Sequence, residues 1–220
     1  MIPTLVFNAL LYAVVGVALV SATMVLWRRR LAGIVRGLAV LGGAVAAVPV
    51  LIGLHERDLK AVAVGVVIGI LKAGVIPAIL LKMLRGHGED RETDPLVNVP
   101  ASLLAGAVLT AFSYLVCAPI VALDPSAPVR AVPLGVAIVL IGFFVLTTRR
   151  RAVAQVVGFL LVENGITLVA FLATGGVPLV VELGASLDVL LAVLVLQVLT
   201  GRMRTKFGDT DINRLRELHD

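Results

Sequence analysis

Seven apolar runs divide the chain: Leu5–Leu26, Leu31–Leu54, Ala61–Leu84, Val99–Leu123, Val129–Leu146, Ala152–Ala173 and Val177–Thr200. A helix needs roughly 20 predominantly apolar residues to cross a bilayer, and each run is close to that length. Composition closes the alternative of a soluble domain. Only 15% of the residues are charged and 60% are hydrophobic, with a mean hydropathy of +1.07. A soluble domain is about 25% charged, because its surface faces water. The outer face of this chain therefore faces lipid, and the same numbers exclude disorder. The expected fold is all-α, a polytopic membrane protein of about seven spans.

The basic residues set an orientation. With seven spans, one side carries Arg28-Arg29-Arg30, Lys82, Arg85, Arg91, Arg149-Arg150-Arg151 and the basic tail after Thr200, with Arg36 just inside the second run. That side holds fifteen basic residues against three, Arg57, Lys60 and Arg130, on the other, with Lys72 left inside a helix. The positive-inside rule then puts the N-terminus outside and the C-terminus in the cytoplasm. The first run has no basic residue before it and is read as a span, not a cleaved signal. The net charge of +5 and pI of about 10 would point to nucleic acid in a soluble protein. Here they mark membrane topology.

The connections fit this division. His55-Glu56-Arg57-Asp58, Asp124–Pro128 and Gly175-Gly176 with Pro178 read as outer turns, and Arg85–Asn98 as the longest cytoplasmic loop. Trp27 is the clear interfacial anchor. A span, an Arg triplet and a span occur at Leu5–Leu54 and again at Val129–Ala173, a weak internal echo. Pro49 and Pro119 read as kinks near span ends. Pro77 removes the backbone bond to the carbonyl of Ala73, beside Lys72, and reads as a kink, with a polar notch as the alternative. Gln155 and Gln197 read as interhelical hydrogen-bond partners and Cys117 as a small buried hydrophobe. No HExxH or paired His/Cys spacing is present, so no metal or cofactor site is expected.

Four ionisable residues fall inside the runs: Lys72, Glu163, Glu182 and Asp188. Asp or Lys at a helix centre costs about 2.5–3.5 kcal/mol on insertion scales, and such residues face the protein interior, pair, or line an ion path. Lys72, Glu163 and Asp188 each lie near the middle of a run, at one depth. Glu182 lies about 9 Å from Asp188 toward the outside, on a different helix face. Low dielectric disfavours the charged forms of carboxylates and amines, which is why groups of these types exchange protons in buried pathways. Asn164, Thr167 and Ser186 are polar neighbours within a helical turn. The bland alternative is a static ion pair of Lys72 with Glu163 or Asp188.

The last three runs resemble a known family. The segment Gln155–Gly165, with Glu163 inside an apolar helix, resembles the second helix of the small three-helix K subunit of bacterial complex I. Leu187–Gln197, with Asp188, resembles its third helix, although that family has Glu where Asp188 stands. The polar tail Asp209–Leu218 is similar to its C-terminus. The whole chain, with Val181–Asp188 and with Lys72 and Pro77 in Gly69–Pro77, resembles the E membrane subunit of hydrogenase-4 and formate-hydrogenlyase complexes. These are complex I-like nickel–iron hydrogenase assemblies.

The resemblance implies residues 1–128 as a four-helix N-terminal part and 129–220 as a three-helix K-like part with a cytoplasmic tail. It implies a membrane-arm subunit without a redox centre or a catalytic centre of its own. Its neighbours would be antiporter-like subunits and the subunit that anchors the soluble arm, in a bacterial cytoplasmic membrane. Glu163, Asp188, Lys72 and Glu182 would relay protons or ions and couple electron transfer to ion movement. The competing readings are a subunit of a multisubunit cation/proton antiporter and a purely structural, lipid-binding spacer.

Overall fold

The computed structural model describes residues 3–28, 30–85, 97–149 and 152–174. The expected seventh run, Val177–Thr200, with Glu182, Asp188 and Gln197, lies outside the described residues, as do most of the loop after Arg85 and the C-terminal tail. Among the described residues the fold is all-helical, and six helices are long and apolar enough to cross a membrane. The chain is a multi-pass membrane protein.

The elements are α1 (Thr4–Trp27), α2 (Leu31–Glu56), α3 (Leu59–Gly69), a π-helical segment (Ile70–Val75), α4 (Ile76–Arg85), α5 (Val99–Leu123), α6 (Ala127–Thr148) and α7 (Ala152–Thr174). The third span is continuous from Leu59 to Leu84, so α3, the π segment and α4 form one membrane-crossing rod. Local chemistry fixes the corners. The α2–α3 turn needs only Arg57 and Asp58. Arg57 adopts the left-handed conformation (φ 62°) that ends many helices, and the Asp58 N–H reaches back to the Gly53 carbonyl. The Asp58 carboxylate then caps α3 by accepting from the Lys60 N–H at 2.8 Å. Asn98 caps α5 in the same way, accepting from the Ala101 N–H at 2.9 Å.

A single apolar core runs through α1, α2, the third span, α6 and α7. Leu11, Val15, Leu38, Leu41, Ile68, Leu80, Ile138, Ile141, Leu160 and Phe171 are all buried in it. Helix α1 packs on α2 and α6, and α7 packs on α6 and α2. Helix α5 is peripheral. It turns a face of small residues, Ser102, Gly106, Ser113 and Cys117, to the bundle and leaves Leu104, Phe112, Leu115 and Leu123 exposed. Small residues at an interface let helices approach closely where lipid removes the hydrophobic drive. Cys117 is buried there, as expected of a small hydrophobe.

Arg149, at the end of α6, has a structural role that its place in a triplet does not reveal. Its side chain is buried, and one guanidinium nitrogen donates to the Leu26 carbonyl at 3.1 Å and the Val25 carbonyl at 3.4 Å. Those carbonyls end α1, where the helix has no further N–H donors and carries partial negative charge. The contact places Arg28 and Arg149, the first residues of the two triplets, at the same end of the bundle. Gln155 makes its bond inside the α6–α7 corner, donating to the Arg149 carbonyl at 3.2 Å.

Candidate functional site

Lys72 lies midway along the third span, on the π-helical segment. The sequence explains the local winding. Pro77 has no N–H, and its ring clashes with the carbonyl four residues back in an α-helix. The backbone widens instead: the Ile76 N–H donates to the carbonyl of Leu71, five residues back. The expected kink at Pro77 is thus a π turn that contains the lysine. Such turns interrupt α-helices mostly as single insertions.

Glu163 lies midway along α7 and faces this turn. Lys72 Nζ donates to Glu163 Oε1 at 2.6 Å and to Thr167 Oγ1 at 2.9 Å. Thr167, one helical turn after Glu163, donates its own proton to the Glu163 carbonyl at 2.9 Å. The lysine side chain is 1% exposed and the glutamate 13%. Of the two partners named for Lys72 in the sequence, Glu163 is the one the described residues bring to it. Asp188 and Glu182 lie outside the described residues.

Burial at this depth makes the pairing decisive. A lone charge at a helix centre costs about 2.5–3.5 kcal/mol. A short, charge-assisted bond between opposite charges offsets that cost while both partners are present. The second bond to Thr167 fixes the direction of the ammonium. Asn164, the next residue on α7, is also buried, and its amide nitrogen donates to the Leu160 carbonyl at 2.7 Å.

Backbone contacts hold the two helices in place. A methyl group at Gly42 on α2 would lie 2.6 Å from the carbonyl oxygen of Lys72. On α7, a methyl at Gly165 would lie 2.7 Å from the Val139 nitrogen of α6, and one at Gly142 would lie 2.7 Å from the Val162 nitrogen. Helices α6 and α7 therefore meet backbone to backbone on both sides of Glu163. Lys72, Glu163 and Thr167 are legible in the sequence as polar residues in apolar runs. Gly42 and the π turn are not, because glycine is common in the spans and the helix that faces Lys72 is a tertiary fact.

The arrangement brings an ammonium, a carboxylate and a hydroxyl into one hydrogen-bonded cluster inside an apolar bundle. The carboxylate supplies the negative charge that the buried ammonium faces.

No protein-family model matches the chain, and no solved structure matches it. It is 34% identical over 131 residues to hydrogenase-4 component E of Escherichia coli (strain K12). That match covers 55% of this chain and 60% of the relative, and hydrogenase-4 component E of Shigella flexneri matches to the same extent. The resemblance to the E subunit thus rests on about half of the chain. Over nearly the full length, 97% of this chain and 98% of the relative, it is 47% identical to the uncharacterized protein Rv0085 of Mycobacterium tuberculosis. The chain belongs to the family of that mycobacterial protein.

Proposed function

We propose that the chain is a non-redox membrane-arm subunit of a complex I-like hydrogenase. In this reading it relays protons or other cations laterally through Lys72 and Glu163, with Asp188 and Glu182 as further stations. It would sit in a bacterial cytoplasmic membrane, N-terminus outside, beside antiporter-like subunits and the subunit anchoring the soluble arm. The similarity to a hydrogenase-4 component supports this setting over a cation/proton antiporter.

The observation that carries the relay is the buried Lys72–Glu163 pair at 2.6 Å, midway along two spans. Glu163 is the more accessible partner and receives the proton. Once neutral, it loosens its hold on the Lys72 ammonium, which keeps its bond to Thr167. The positive charge is then free to act on the next titratable group along the arm. When Glu163 passes its proton on, the pair reforms.

Glu163→Gln keeps the shape of the side chain and removes its charge. In membrane vesicles carrying the assembled complex, this variant should lose hydrogenase-linked proton pumping while the complex stays intact. Unimpaired pumping would overturn the relay. The tight geometry also fits a purely structural pair. In that case, replacing Lys72 and Glu163 together by Met should leave all coupling in place.

A further inference from the structure

We propose that the Asn164 amide oxygen binds a water molecule beside the Lys72–Glu163–Thr167 cluster. Asn164 is 3% exposed, and its Oδ1 has no hydrogen-bond partner among the described residues. The orientation of the amide is set by its nitrogen, which donates to the Leu160 carbonyl at 2.7 Å. Flipping it would set two acceptors against each other. The oxygen is therefore the atom of the amide left without a partner among the described residues.

A buried acceptor of this kind is normally satisfied by protein or ordered water. Among the described residues, the buried side chains on its own flank and on α2 have no donor to offer. Asn164 shares its flank of α7 with Leu160, Leu168 and Phe171, which are buried and apolar. The buried side chains of α2, which packs on α7, include Leu38, Leu41, Val45 and Val48, none with a donor. Buried water is the usual donor to an acceptor left unsatisfied by the protein.

Position gives the water a role. At 100° per residue, Asn164 stands about 60° around α7 from Thr167. Residues three apart on a helix have Cβ atoms about 5–6 Å apart, a gap that one water spans. The bound water thus lies beside the hydroxyl that accepts from Lys72 at 2.9 Å. It puts a molecule with exchangeable protons beside the cluster, next to a buried side chain. This role rests on the relay proposed above; the water site itself does not.

The test is an electron cryomicroscopy map of the assembled complex at a resolution that shows ordered water. A peak about 3 Å from Asn164 Oδ1 is expected in the native complex. Asn164→Leu should lose the peak, and Asn164→Asp, which keeps an acceptor oxygen, should retain it. A protein N–H or O–H at that position, from this chain or a neighbour, would overturn the proposal, as would a dry contact. The native map decides the question even where Asn164→Leu does not assemble. A water peak together with normal pumping by Glu163→Gln would sink the relay and leave the water site standing.

Discussion

Gly42 on α2 packs directly on the main chain of Lys72. A methyl at Gly42 would lie 2.6 Å from the lysine carbonyl oxygen and 2.9 Å from the lysine Cβ. The separation of α2 from the π turn, and with it the placement of the ammonium, depends on the absence of one side chain. Gly42→Ala forces the backbones apart. Overpacking of this kind costs about 1–3 kcal/mol. Unfolding of the purified chain in denaturant should show that loss. Gly74→Ala is the control, since a methyl there meets nothing within 4 Å. It should be neutral or stabilising by up to about 1 kcal/mol.

The Thr167 hydroxyl accepts from Lys72 Nζ at 2.9 Å and donates to the Glu163 carbonyl at 2.9 Å. Thr167→Val keeps the shape and removes the acceptor. Hydrogen bonds to charged groups contribute about 1.5–3 kcal/mol. Thr167→Val should lose an amount in that range by denaturant unfolding and should lower the pumping rate in vesicles. Thr167→Ser should restore most of both.

Lys72→Met removes one partner of a buried ion pair. Such a change costs about 3–5 kcal/mol, because the other charge stays buried. Replacing both partners by apolar residues is often neutral. Lys72→Met should therefore be strongly destabilising, and Lys72→Met with Glu163→Met should recover most of the loss. A double-mutant cycle on unfolding free energies measures this coupling. The relay predicts that pumping stays lost in the stable double variant.

The spans were legible because lipid demands long apolar runs and Arg, Asp and Pro interrupt them at the corners. Five of the expected runs end within a few residues of helices α1, α2, α5, α6 and α7, and a sixth corresponds to the third span. Lys72 and Glu163 stood out for the same reason, as charges with no topological use. Their mutual distance was not legible, since Asp188 offered Lys72 an equal partner at the same depth. The π turn was hidden because Pro77 is compatible with a kink as well as a widened turn. Gly42 was hidden among 21 glycines, of which only tertiary contact separates the essential ones.

Arg149 was masked by its neighbours. Three consecutive arginines read alike as topology signals, yet Arg149 is 5% exposed and caps the last carbonyls of α1. Arg30, in the other triplet, is exposed. Arg149→Ala removes a charged donor from buried acceptors and should cost about 1.5–3 kcal/mol per bond lost. The bond to Leu26 at 3.1 Å carries more of this than the longer one to Val25 at 3.4 Å. Arg30→Ala should stay within about 0.5 kcal/mol of the native protein, as exposed substitutions usually do. Unfolding in denaturant separates the two. Arg149→Lys tests the cause. A lysine keeps the positive charge that topology requires but not the planar donor fork of arginine. Insertion and orientation of Arg149→Lys should be unchanged in a cysteine-accessibility assay, while its stability should fall between those of Arg149→Ala and the native protein.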